Sequence, residues 1–224
     1  MVTRIPIPCL CLVTDRRLCN SDPEALERRV AGAVRGGVNM VQLREKDLPG
    51  GLLLELAVRL RKATNGSALL FVNERVDVAL ASRADGVQLG EGGLPPEAAR
   101  KVAGENLIVG RSVHSVESAL AAEGEGADFL VVGTIFPTGT HPGAEPEGPR
   151  LLSRIMDRVS IPFAGIGGIS AANVGEVMGA GSSGAAVIST ILAAEDTEQA
   201  ARDLKSAIDR AWSRRSTGVT GRRS

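Results

Sequence analysis

EGADFLVV (residues 125–132) leaves a polar, alanine-rich run at a glycine and passes at once into four apolar residues. The same transition occurs in VRGGVNMV (34–41), SRADGVQL (82–89) and GAGSSGAAV (179–187). A glycine can end a helix in the left-handed conformation, a role open to Gly36, Gly126 and Gly181. The short apolar run behind it suits a buried strand. Working outward, strands are predicted over 9–15, 38–44, 68–73, 86–90, 107–113, 129–136, 162–168 and 184–190. Helices are predicted over 23–35, 52–63, 75–83, 95–103, 115–125, 148–158, 171–180 and 197–212. The first of these has Pro23 in its opening turn, behind Ser21 and Asp22 as caps. Strict alternation predicts a parallel α/β protein, and eight units predict a single-domain (β/α)8 TIM barrel over residues 1–212. The rival is an open doubly wound sheet, which a Gly-x-Gly-x-x-Gly after the first strand would favour; none is present. Residues 213–224 are polar and Arg-rich and read as a disordered tail.

Composition narrows the function classes. Aromatic residues are 2% of the 224, with no Tyr, so base-stacking platforms for single-stranded nucleic acid are not expected. Lys plus Arg and Asp plus Glu balance at 26 each, which gives no general attraction to nucleic acid or an anionic membrane. Cys9, Cys11 and Cys19 have no later cysteine pair to complete a zinc site and read as small apolar residues of a reducing compartment. Cys9 and Cys11 alternate, so they share one strand face. No stretch approaches the ~20 apolar residues of a membrane span. Pro6 and Pro8 interrupt any signal-peptide core. The expectation is a cytoplasmic protein that binds neither nucleic acid nor membrane, with self-association left open.

A (β/α)8 barrel keeps its chemistry at the C-terminal ends of its strands. Strand 2 ends in Gln42, Arg44 and Lys46 on one face, two cations able to clamp a phosphate or diphosphate. Strand 3 ends in Asn73 and Glu74. Strand 4 runs into Gly90-Glu91-Gly92-Gly93, a turn nearly without side chains. Strand 5 leads to His114, and strand 6 to Thr138, Thr140 and His141. Strand 7 ends in Gly167-Gly168 before a helix, where free backbone N–H groups suit a phosphate. Strand 8 ends in Ser189 and Thr190. His114 and His141 are the chain's histidines and the natural proton-transfer candidates.

TDRRL (14–18), VQLREKD (41–47), VNERVDVAL (72–80), ADGVQLG (84–90), VGRSVHSVE (109–117), GADFLVVGTIFPTGTHPG (126–143), PFAGIGGISAANV (162–174) and GAGSSGAAVIST (179–190) resemble the thiamine phosphate synthase/TenI family in colinear order from residue 9 to about 210. The resemblance implies a barrel that binds a thiazole phosphate. It places Gln42, Arg44, Lys46 and Asn73 at a pyrimidine diphosphate, and Thr138, Thr140, His141, Gly168, Ile188 and Ser189 toward the thiazole phosphate. Synthases of the family join hydroxymethylpyrimidine diphosphate to thiazole phosphate with Mg²⁺. TenI proteins include a thiazole tautomerase that moves a proton and needs no metal.

Several positions depart from the synthase pattern. Gly93 stands where synthases carry a metal-binding Asp, Glu74 where they carry another, and His141 where they carry a Lys. The segment around His114 is closer to TenI, yet Thr134 replaces the histidine of the tautomerase. These departures put a metal-independent tautomerase first, with His114 as proton carrier. The alternative is a synthase in which Glu74 and Glu91 rebuild the magnesium site and Arg44 and Lys46 stabilise departing diphosphate. A non-catalytic thiazole-phosphate-binding regulator stands third.

Overall fold

The computed structural model describes residues 5–64, 66–139 and 145–219. Eight parallel strands close into a barrel in sequential order. They are β1 (Cys9–Val13), β2 (Met40–Leu43), β3 (Leu69–Asn73), β4 (Gly86–Leu89), β5 (Ile108–Val113), β6 (Phe129–Val132), β7 (Phe163–Ile166) and β8 (Gly184–Val187). The helices are α1 (Pro23–Arg35), α2 (Gly50–Thr64), α3 (Val76–Ala81), α4 (Pro96–Ala103), α5 (Val116–Gly124), α6 (Pro149–Met156), α7 (Val174–Gly179), α8 (Ser189–Leu192) and α9 (Thr197–Val219). The single-domain barrel expected from sequence is therefore observed.

The four stretches that open the sequence analysis share one structural job. Each ends an odd-numbered helix at a left-handed residue: Gly37, Arg83, Gly126 and Gly181, with φ of 108°, 54°, 89° and 102°. A polar side chain just beyond then accepts a hydrogen bond from the preceding strand's backbone. Asn39 Oδ1 takes Leu10 N (2.8 Å), Asp85 Oδ2 takes Leu70 N (2.7 Å), Asp128 Oδ2 takes Val109 N (2.7 Å) and Ser182 Oγ takes Gly165 N (3.1 Å). Backbone donors at the closed end of the barrel are thereby satisfied by side chains. Arg61 of α2 and Arg100 of α4 hold the two aspartates from outside. Asp85→Ala leaves the Leu70 N–H without its acceptor and should cost about 1–3 kcal/mol, readable by urea denaturation, while Asp85→Asn, which keeps an acceptor, should cost less.

Two apolar layers follow from the alternation of side chains along each strand. Cys9, Cys11, Val13, Met40, Phe71, Ile108, Phe129, Val131, Ala164, Ala186 and Ile188 fill the barrel interior. Leu10, Leu12, Val41, Leu43, Leu70, Val72 and their counterparts face the helices. The shared face expected for Cys9 and Cys11 is observed, and burial pushes the Cys9 thiol up to about 12. Glycines make room for the larger residues inside: a Cβ on Gly86 would lie 2.6 Å from the Phe71 ring.

Some boundaries differ from expectation. Gly37, not Gly36, is the left-handed residue after α1; Gly36 (φ −76°) is needed because a Cβ there would overlap the Glu198 carbonyl oxygen of α9. Strand 6 stops at Val132, and 189–190 open a short helix instead of continuing β8. The last helix runs to Val219, past the expected end at 212. Arg215 explains part of that extension: its guanidinium donates to the Ser182 carbonyl (3.1 Å) and lies 5.2 Å from the Trp212 ring centroid. Of the two expected caps of α1, Asp22 serves, accepting from Glu24 N (2.9 Å) ahead of Pro23, while Ser21 precedes it in the left-handed conformation (φ 57°). No helix among the described residues is long and apolar enough to cross a membrane.

Candidate active site

The open end of the barrel holds a cavity of about 230 Å³ lined by all eight strand ends. It brings together Gln42, Arg44, Lys46, Asn73, Glu74, Glu91, His114, Thr138, Gly168, Ile188 and Ser189 from distant parts of the chain. Thr140 and His141 lie outside the described residues. Gly167, read from sequence as half of the phosphate turn, lines the cavity too, as do Ser112, Thr134 and Thr190, to which the sequence assigned no role there.

Its floor is the last inward-facing layer of the barrel. Gln42 Nε2 donates to Asn73 Oδ1 (3.0 Å) across β2 and β3, and Gln88 Nε2 donates to Ser112 Oγ (3.1 Å) across β4 and β5. The wall at β2 is set by a buried carboxylate pointing the other way. Glu45 is 5% exposed and accepts from the Thr14 hydroxyl (2.7 Å), the Arg16 amide (3.0 Å) and the Arg16 guanidinium (3.1 Å). Arg16 also forks onto Asp47, whose carboxyl it holds down at about 2. Thr14 Oγ1 in turn accepts from Arg44 N (2.9 Å). Alternation at the end of β2 thus sends Glu45 and Asp47 to Arg16, and Arg44 and Lys46 to the cavity. Among the described residues, neither cation pairs with a carboxylate within 4.0 Å.

The opposite wall is backbone. Gly167 (φ 105°) and Gly168 (φ 61°) turn the chain after β7. Asn173 fixes this turn, donating to the Gly168 carbonyl (2.9 Å) and accepting from Ser170 N (2.8 Å). Thr190 Oγ1 donates to the Ile169 carbonyl (2.6 Å) and ties the turn to the start of α8. The first N–H groups of α8, at Ser189 and Thr190, have no acceptor within their own helix. This wall therefore offers donors, as the glycines suggested.

The glycine turn after β4 is built around Glu74. That residue sits at φ 63°, uncommon for a long side chain, with its own N–H donating to the Gln88 carbonyl (2.9 Å). Its Oε1 accepts from Gly90 N (2.7 Å), and Gly93 N closes the turn on the Gly90 carbonyl (2.9 Å). A Cβ on Gly93 would overlap Glu74 Oε2 and lie 2.9 Å from its Cδ. Glu91 does not take the place vacated at 93: its Oε2 meets His114 Nδ1 at 2.7 Å. Burial pushes the Glu91 carboxyl up, but hydrogen bonds with His114 and Ser118 and the nearby His114 and Arg111 charges outweigh it and leave it below the usual range. Arg111 braces the turn from outside through the carbonyls of Glu91 (2.8 Å) and Leu94 (2.6 Å).

No group of three or more His, Cys, Asp or Glu among the described residues could by itself hold a metal. Glu74, its Oε1 held by Gly90 N, offers a carboxylate toward a cation that brings other oxygen ligands with it, as magnesium does when it binds through substrate phosphates, and Glu91 lines the same cavity. Glu91, expected to share a magnesium with Glu74, contacts His114 through Oε2, and the carboxylate that lies over Gly93 is that of Glu74.

Fold and site together define a (β/α)8-barrel protein whose cavity sets free cations on one wall against backbone donors on the other. The sequence profile described as "Thiamine monophosphate synthase" matches residues 10–191, and the chain belongs to that family. It is 44% identical over 203 residues to a thiamine-phosphate synthase of Methanocella arvoryzae, covering 89% of this chain and 94% of that one. It is also 44% identical over 201 residues to one of Pyrococcus furiosus, with the same coverage. A solved thiamine phosphate pyrophosphorylase from Pyrococcus furiosus superposes with a TM-score of 0.83 at 42% identity, covering 91% of this chain and 96% of that one. A 3-hexulose-6-phosphate synthase, at 22% identity and a TM-score of 0.68, shares the fold alone.

Proposed function

We propose that the protein is a thiamine phosphate synthase, joining hydroxymethylpyrimidine diphosphate to a thiazole phosphate with release of diphosphate. The carrying observation is that one cavity sets Arg44 and Lys46 opposite the Gly167-Gly168 turn and the first residues of α8. A tautomerase acting on one phosphate ester needs the β7–β8 wall only. Arg44 and Lys46, without carboxylate partners among the described residues, suit a second and more highly charged phosphate group. The relatives named thiamine-phosphate synthase support the same order, and the tautomerase put first from sequence gives way to the transferase alternative. Thr134, at the position of the tautomerase histidine, cannot carry a proton near neutral pH, which argues in the same direction.

In this reading the bond from the pyrimidine methylene to diphosphate oxygen breaks, and the thiazole ring nitrogen bonds to that carbon. Gln42 and Asn73, coupled to each other, form the polar floor beneath the pyrimidine. The amides of Gly168 and Ser189 orient the thiazole phosphate. Arg44 and Lys46 stabilise charge as it builds on departing diphosphate. Glu74 would hold magnesium together with diphosphate oxygens; when bound, the ion neutralises the leaving group.

Purified protein with both substrates should form thiamine phosphate with Mg²⁺ and none with EDTA. Glu74→Gln should cut the Mg²⁺-dependent rate by about 10²-fold, the size typical of losing one charge-stabilising group. Isomerisation of thiazole carboxylate phosphate without any thiamine phosphate would restore the tautomerase.

A further inference from the structure

We infer that Gly93 is a positioning residue: the side-chain-free turn after β4 is a cradle that fixes the Glu74 carboxylate in the cavity, and a glutamate at 74 requires glycine at 93. The inference deepens the synthase reading and rests on it for the role of Glu74.

Three observations carry it. Glu74 projects from the end of β3 across to the next strand's loop, and Gly90 N holds its Oε1 at 2.7 Å. The three atoms nearest to a Cβ built on Gly93 all belong to the Glu74 carboxylate, the Cδ and Oε1 both at 2.9 Å and Oε2 in overlap. Gly92, one residue earlier in the same turn, has nothing within 4 Å of its Cβ and no positive φ. Gly93 likewise has no positive φ, so its lack of a side chain answers to Glu74 and not to backbone conformation. One methyl group at 93 must therefore push the carboxylate off its Gly90 anchor. Shortening Glu74 by one methylene, as in Asp, withdraws it by about one carbon–carbon bond and relieves the overlap, and Asp also tolerates the left-handed backbone better.

The test is a double-mutant cycle with Gly92→Ala as control. Magnesium diphosphate binding is measured by calorimetry, and folding by thermal melting, on the full chain. Gly93→Ala should weaken binding by about tenfold, the loss of one charge-assisted contact, and Gly92→Ala should change it less than twofold. In the Glu74→Asp background, adding Gly93→Ala should change binding less than twofold. Should Gly93→Ala alone fail to fold, Glu74→Asp should restore the melting transition. Equal effects of Ala at 92 and 93, an undiminished effect in the Asp background, or loss of folding in both backgrounds overturns the inference. A wild-type chain that binds magnesium diphosphate but forms no thiamine phosphate sinks the synthase reading and leaves the coupling of 74 and 93 standing.

Discussion

Arg44→Ala should lower kcat/KM for thiamine phosphate formation by about 10²–10³-fold, as removal of one preorganised donor at a developing charge does. The size follows from how the side chain is held. Its backbone N–H is fixed on Thr14 Oγ1, and Thr14 is fixed on Glu45, so the start of the side chain is rigid. The neighbouring carboxylates are spent on Arg16, so the positive charge of Arg44 is free to meet substrate. Arg44→Lys should recover only part of the loss, since an ammonium cannot present two parallel N–H groups to one phosphate. Steady-state kinetics with both substrates saturated in turn would check this. Affinity for thiazole phosphate, held on the other wall, should stay within about twofold. A variant within threefold of wild type in kcat/KM would place the diphosphate elsewhere.

Gly168→Ala should damage the opposite wall and the fold together. The residue sits at φ 61°, where an L side chain costs about 1–2 kcal/mol. Its Cβ would also overlap the Pro137 carbonyl oxygen and lie 2.8 Å from Phe136 Cβ, so the segment leading to Thr138 must move. Together these should cost about 2–4 kcal/mol, or about 4–16 °C in Tm for a chain of this size. Because the same turn supplies amides to the cavity, KM for the thiazole phosphate should rise by about 10²-fold, the worth of one or two charge-assisted hydrogen bonds. Melting and substrate titration on one preparation separate the two effects. A variant that melts early yet keeps its KM would show that the Gly168 amide does not touch the phosphate.

The short stretches around 34–41, 82–89, 125–132 and 179–187 were enough to read the barrel, because helix ends and buried strands are local events governed by left-handed residues and apolar runs. Gln42, Arg44 and Lys46 could be placed on one face for the same reason: the two-residue period of a strand needs no partner to be read. Arg83 escaped notice as the fourth left-handed residue, since only its φ of 54° reveals the part that glycine plays in the other three stretches. Thr190 could be placed at a strand end but given no role, because its hydroxyl matters only through a carbonyl at Ile169, reached after the barrel closes.

The sequence by itself determined the alternation of strands and helices, the barrel they imply and the chemistry gathered at the strand ends. The tertiary structure decided which of those side chains remain available. Glu45 is withdrawn by Thr14 and Arg16, Glu91 by His114, and Glu74 takes the space over Gly93. Each of these outcomes depends on contacts between strand ends 16 to 31 residues apart, where hydrogen-bond geometry and excluded volume, not the pattern along the chain, choose the partner.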